Sequence, residues 1–457
     1  MKSREAERYQ EYLRVLGKTP KLRDSILKAM DRYKEQVHME MLSDTRLYLL
    51  TFVPALVAFT EWVIVKAEQE NKTRLYFLSR DGYQMYEIAQ KIVESRHLAI
   101  ECKYLYVSRY SMRIPTYHMD IERAIDSICV GGIDVTPFKI LRRGALSKNE
   151  CYQVLAEMHL EEVKDNILNY QEVLELRSHL QKSRLLRQFL EAHSKEAYAD
   201  ARDYLIQEGL CQDDHYLIVD SGWVGTLQKS IEIMVQSVNP DLRVEGCYFG
   251  MYEVPKQVPK SRFHGYYFDA TSGIWRKAHF SNSLFETIVS KDEGMTVGYR
   301  RQGGIIQPRM GKLANPNGGM MHRNAEALSI FLSLYMEEKE KEHIARFVIE
   351  KLFDLFMSEP TMVEVRAYGD NRFSDDVIED GYQKVAAELS VRDIQNQHFI
   401  RKLCIVKGIK KAVIHESAWL EGSVARQFEH QPRRMRLEYG HIRFYKWVIF
   451  ARKQIRS

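Results

Sequence analysis

The sequence predicts an α/β fold built on a mostly parallel sheet, and three features of the chain carry that prediction. Leu75 to Leu78 is a short apolar run of strand type that ends in Ser79-Arg80-Asp81-Gly82, after which Met85, Ile88, Ala89 and Ile92 recur at helical spacing. The same grammar returns where Tyr216 to Val219 leads into Asp220 and then Ser221-Gly222-Trp223-Val224-Gly225-Thr226. Between the two, Leu146 to Leu190 is rich in Leu, Glu, Lys and Gln and has no strand pattern, which points to a helical insertion. Together they describe a Rossmann-like sheet with a helical cap insertion and a mainly helical C-terminal region. In such sheets ligands bind beyond the carboxyl ends of the strands, where the N–H groups of following helices favour phosphate.

Residues 1–46 are charged, with apolar residues at helical intervals (Tyr12, Leu13, Leu16; Ile26, Leu27, Met30, Tyr33), and are expected as N-terminal helices covering a neighbour. Leu47 to Glu68 is a long apolar helix; its uncharged part is short for a bilayer and holds Pro54, so it is expected to be buried rather than to span a membrane. The α/β core is expected over 47–119 and 197–300. Its second strand, from Glu101, ends in Ser108 and Arg109, roughly thirty residues after the first, as a βαβ unit requires. The cap is expected over 120–196, and Ala197 to Gln207 as the helix leading back, ended by Gly209. Beyond Asp220, Leu227 to Val238 is an amphipathic helix, and Val244 to Gly250 and His264 to Asp269 bring the strands to at least five. Ser283 to Ser290 is a short helix or strand, Gly294 to Gly319 is loop-like, and residues 301–457 are mainly helical with a basic tail.

Composition narrows the class. With 45% hydrophobic and 28% charged residues the chain is ordinary globular protein, and +5 over 457 residues is too mild for a general nucleic-acid binder. Six scattered cysteines without a C-x-x-C pair fit a reducing compartment better than a disulfide frame or zinc site. The start, Met-Lys-Ser-Arg-Glu-Ala-Glu-Arg, is too charged for a secretory signal, so a cytoplasmic location is expected. From Arg433 to Arg456 basic and aromatic residues mix. A terminal helix docked through Phe444, Trp447, Val448 and Phe450 is expected, with peripheral contact to the inner face of the membrane as the alternative. There is no H-E-x-x-H, G-x-x-x-x-G-K-[ST] or G-x-S-x-G, which disfavours zinc hydrolases, P-loop NTPases and α/β-hydrolases.

The candidate site follows from the strand ends. Asp81 and Asp220 are acidic residues at matching positions, and each has a bland reading as a helix cap. Arg80 and Arg109 each follow a serine and suit bidentate capture of phosphate, or else pair with the two aspartates. Gly222 and Gly225 allow close backbone approach, and Thr226 adds a hydroxyl. Trp223 is expected in the core, Gln228 at the surface or behind the site, and Glu286 and Glu421 facing solvent.

The order Ser79-Arg80-Asp81-Gly82, Ser108, a basic residue before a helix, then Asp220 resembles the motif layout of the haloacid dehalogenase-like superfamily. Phe77 to Gly82, Val219 to Gln228, Glu286 to Tyr299 and Trp419 to Ser423 more closely resemble a divergent bacterial branch of it associated with capsule and surface-polysaccharide synthesis genes. The resemblance implies Asp81 as general acid/base, Asp220 with Asp81 as ligands of Mg²⁺, Ser108 as a holder of phosphoryl oxygens and Lys195 as the charge-neutralising lysine. It implies a phosphate pocket from Arg80, Gly82, Ser108, Arg109, Ser221, Gly222, Gly225 and Thr226. Ser79 stands where the family has its nucleophilic aspartate, and a serine hydroxyl needs a base, for which Asp81 is nearest in sequence. The implied activity is phosphoryl hydrolysis or transfer on a phosphorylated or nucleotide-linked sugar in surface-polysaccharide biosynthesis. The alternatives are a non-catalytic scaffold or regulatory module of polysaccharide assembly, and a sugar transferase using an activated donor.

Overall fold

Successive strand residues point to opposite faces, and here both faces are apolar. Leu75, Phe77, Leu217 and Val219 enter one core, while Tyr76, Leu78, Tyr216 and Ile218 enter another. A sheet so composed must be covered on both sides. The computed structural model describes residues 2–38, 40–132, 135–312, 317–338, 341–374 and 383–456. In it β1 (Arg74–Leu78), β2 (Glu101–Leu105), β3 (Tyr216–Trp223), β4 (Gly246–Met251) and β5 (Phe263–Phe268) form one parallel sheet in the order β2-β1-β3-β4-β5. The helices Ser43–Gln69 and Tyr83–Arg96 cover the first face, through residues such as Phe59, Ile88 and Ile92. Arg184–Gln207 and Thr226–Gln236 cover the second, through Tyr204, Leu205, Ile231 and Met234. The strand order reverses between β1 and β3, so the crevice of this sheet opens where Asp81 and Asp220 stand.

The helix Ser43–Gln69 is long and apolar enough to cross a membrane, but 83% of its apolar window is buried inside the protein. Phe52 packs against Phe285, Phe353 and Phe356, and Phe59 against Phe249 and Tyr266, so it is the central helix of the core. The insertion between β2 and β3 is helical, as expected, and has its own core from Ile114 to Leu190, separate from both sheet faces.

Three expectations about elements need correction. The helix leading back to the sheet does not begin at Ala197: Arg184–Gln207 runs unbroken through the expected 196/197 boundary, started by the Ser183 hydroxyl accepting from the Leu186 N–H at 3.0 Å. Cap and core therefore share one rigid helix. The expected loop over 294–319 contains an antiparallel hairpin, β6 (Thr296–Gln302) and β7 (Ile305–Met310), which straddles the expected 300/301 boundary. Its two-residue turn is Gly303-Gly304, both at positive φ (59° and 84°), the conformation a tight hairpin demands. Asn315 and Pro316 of that expected loop lie outside the described residues. Finally, β3 continues through Gly222 and Trp223, paired with Gly250 and Met251, where a loop was expected after Asp220.

At the C-terminal end the helix Pro432–Arg456 docks through buried Tyr439 and Ile442 and through Phe450, which stacks on Tyr252 at 5.0 Å. Phe444 and Trp447, expected to dock with them, stay exposed.

Candidate active site

The ends of β1 and β3 open into a cleft of about 860 Å³ lined by Ser79, Arg80, Asp81, Ser108, Arg109 and the run Asp220 to Gln228, with the far wall from the C-terminal helices. Asp81 and Asp220 thus share one cleft.

Asp81 does not cap the helix that follows it; the N-cap is Gly82, and no side chain bonds there. Its two carboxylate oxygens accept instead from the hydroxyls of Ser221, at 2.6 Å, and Ser290. Asp220 is pushed up to about 7, first by burial and then by the neighbouring Asp81 charge, against the pull of the Ser221 and Gly222 N–H groups and of Arg109.

Glycine is required at residue 222. Its φ is +106°, and a Cβ there would lie 2.6 Å from the Gly250 carbonyl oxygen of the paired strand. Gly222→Ala is expected to cost about 1–3 kcal/mol, read as a lowered denaturation midpoint, because neither backbone can move without breaking the β3–β4 ladder. Gly225, at φ +58°, starts the helix Thr226–Gln236. Thr226 accepts from the Arg113 guanidinium at 2.6 Å, and burial pulls that arginine down to about 10.

Several expected roles do not survive the geometry. Lys195 is in the middle of a helix, its ammonium paired with Glu191 at 2.6 Å on an exposed face, and it does not line the cleft. The Ser79 hydroxyl donates to the Val107 carbonyl at 2.8 Å and accepts the Val107 N–H at 3.1 Å, so it laces β1 to the segment after β2; Asp81 is engaged elsewhere and is not its base. The Ser79–Arg80 peptide is cis. Ser108 caps the helix Arg109–Arg113, accepting from Ser111 N–H at 2.9 Å and donating to Thr296 O at 2.6 Å, which commits the hydroxyl expected to hold phosphate. Gly82 is buried, and a Cβ on it would lie 2.6 Å from Leu78 O, so it serves the turn and does not line the cleft. Of the two places expected for Gln228, the surface is excluded and the one behind the site holds: it is buried, donating to Val244 O at 2.8 Å and accepting from Tyr248. Glu286, expected to face solvent, is half-buried at the cleft wall and accepts from the Trp223 indole, while Trp223 itself lies in the aromatic core as expected. Glu421 is buried and paired with Lys446 at 2.6 Å rather than facing solvent.

The structure also supplies residues that local sequence pattern does not reveal. Lys291 follows Ser290 into the cleft: its N–H donates to Arg80 O at 3.2 Å, and its ammonium lies over the rings of Tyr83 (4.3 Å) and Tyr104 (5.0 Å) and pairs with Glu293 at 3.0 Å. Lys277, which donates to Ala270 O at 3.0 Å, is pulled down to about 8 by burial. Lys402 and Lys446 add charge from the far wall. In all, nine Lys or Arg residues and six Asp or Glu residues line the cleft, a balance that suits an anionic ligand. No family model matches the chain, and no curated protein matches it significantly.

Proposed function

We propose that this protein is a haloacid dehalogenase-like, Rossmann-type phosphatase or phosphotransferase that uses Mg²⁺ and acts on a phosphorylated or nucleotide-linked sugar in surface-polysaccharide biosynthesis. The observation that supports it most is the convergence of Asp81 and Asp220 in one cation-rich cleft at the strand-order reversal. Hard carboxylate oxygens at adjacent strand ends fit Mg²⁺, which Asp220 and Asp81 would hold and which would supply charge neutralisation at the phosphoryl group. Arg80, Arg109 and Lys291 orient the phosphate, with the first turn of Thr226–Gln236 beside it. Lys291 takes the part expected of Lys195. Asp81, already an acceptor for two hydroxyls, removes a proton from the attacking water or acceptor hydroxyl and returns one to the departing oxygen. The tie between Ser79 and Val107 favours direct attack over a phosphoserine intermediate.

The same tie favours the second reading, a phosphate-binding scaffold without turnover. Purified protein with Mg²⁺ and a panel of sugar phosphates and nucleotide sugars separates the two. Release of phosphate or nucleotide is expected, reduced at least tenfold in Lys291→Ala and unchanged in Lys195→Ala. Thermal stabilisation by a panel member without any turnover would leave the scaffold, and nucleoside diphosphate release only with a sugar acceptor would make the protein a transferase.

A further inference from the structure

Outside the cleft, one segment presents apolar side chains to solvent in a continuous run. None of the residues of the helix Phe399–Val406 is buried, and from there to Val413 the side chains of Ile400, Leu403, Val406, Ile409 and Val413 are between 39% and 74% exposed. Exposed aliphatics are ordinary when scattered singly and informative when grouped. Residues 399–415 also contain five Lys or Arg and no Asp or Glu.

The helix is fixed on one side only. Phe399 meets Phe444 edge-on at 6.0 Å, and Lys402 lies over the Tyr445 ring at 5.0 Å and pairs with Glu416 at 2.9 Å. Helical spacing then puts Ile400, Leu403 and Lys407 in one outward row. Exposed Phe444 carries the apolar surface on to Trp447, which lines a shallow groove with exposed Trp275 and Phe347.

We propose that residues 399–413, extended by Phe444 and Trp447, seat the protein on an anionic lipid bilayer, with the aliphatic side chains at the headgroup boundary and Lys407, Lys410 and Lys411 among the phosphates. An amphipathic segment with a basic polar face has this property in general. Lys407 stands within the apolar face, and Lys410 and Lys411 flank it; none of the three has an ion-pair partner among the described residues. A second copy docked face to face would set these charges against one another, whereas a lipid headgroup layer takes both the charge and the apolar area. The contact is centred on this segment, and the basic tail helix contributes Phe444 and Trp447 to it rather than its arginines and lysines. Because Lys402 of the same helix lines the cleft, docking holds the cleft mouth near the bilayer. This proposal does not depend on the cleft being catalytic.

Co-sedimentation of the full chain with vesicles tests it. Binding is expected to vesicles of phosphatidylcholine mixed with phosphatidylglycerol and not to phosphatidylcholine alone. Ile400→Ser with Ile409→Ser, at exposed positions and with an unchanged melting curve, is expected to weaken binding about tenfold or more. Lys407→Gln, Lys410→Gln and Lys411→Gln together are expected to weaken it on the order of a hundredfold at low salt, with a smaller difference at high salt. Failure of the wild type to bind the anionic vesicles overturns the proposal. So does binding that survives both variants but is lost in Arg452→Gln with Lys453→Gln, or self-association that the isoleucine variant dissolves.

Discussion

Asp81→Asn is expected to lower kcat by about 10²–10⁴-fold with the fold intact, because the amide cannot take up the proton that the carboxylate moves. The substitution keeps size and shape, and asparagine's side-chain oxygen can still accept from one of the two serines, Ser221 or Ser290, that now hold the carboxylate. Stability should therefore change little, and a melting curve run beside the kinetics separates chemistry from folding. Because both carboxylates are proposed Mg²⁺ ligands, Asp81→Asn and Asp220→Asn should both raise the Mg²⁺ requirement, but only Asp81→Asn should keep kcat low at saturating Mg²⁺. Ser79→Ala is the contrast. Its hydroxyl makes two backbone hydrogen bonds to Val107, so losing it should cost about 1–2 kcal/mol of stability while kcat stays within a few-fold of wild type. A Ser79→Ala enzyme as dead as Asp81→Asn would restore the serine nucleophile and overturn the direct-attack reading.

What was legible in the sequence is what local pattern determines. β1 and β3 could be found because short apolar runs ending in a polar cluster before a helix have few other meanings, and the convergence of Asp81 with Asp220 followed from two parallel strands being neighbours. Lys195 was misplaced for a physical reason: the helical period runs uninterrupted from Arg184, so no sequence signal separates cap from core there, and a mid-helix lysine with Glu191 one turn earlier satisfies itself locally. Ser108 and Ser79 show a related limit. A hydroxyl at a strand end looks the same whether it waits for a ligand or caps a helix, and only the partners Ser111, Thr296 and Val107 decide. The hairpin did leave a signal, Gly303-Gly304 between two short runs, but the exposed Arg and Gln residues of β6 and β7 hide the alternation. Ser290 reaches Asp81, and Lys291 reaches Arg80, from more than two hundred residues away, which no local pattern encodes.

Arg8→Ala is expected to cost about 3–5 kcal/mol of stability, more than either Ser79→Ala or Gly222→Ala, because it leaves a buried carboxylate without its counter-ion. Glu364 is fully buried; its Oε1 accepts from Arg8 Nε at 2.6 Å and from the Tyr12 hydroxyl at 2.7 Å, and its Oε2 accepts from the N–H and hydroxyl of Thr361, each at 2.7 Å. Arg8 also donates to Leu355 O at 2.6 Å and Glu359 O at 3.0 Å, so one guanidinium ties the helix Lys2–Leu16 to elements more than three hundred residues later. Burial pulls the guanidinium down, but the Glu364 charge outweighs it and holds the group above its ordinary value, so it stays charged. Coulomb attraction alone would not make the pair stabilising, since both ions are desolvated; the cost appears when one partner is removed. That asymmetry gives the test. Arg8→Leu combined with Glu364→Leu removes both charges and should be less destabilised than Arg8→Ala alone, retaining a penalty of about 1–3 kcal/mol for the Tyr12 hydroxyl and for the Thr361 N–H and hydroxyl left without their acceptor. Denaturant unfolding followed at several wavelengths measures all three proteins and shows whether the N-terminal helix leaves before the sheet. A double variant worse than the single would mean that packing at this junction, and not the unpaired charge, dominates its energy.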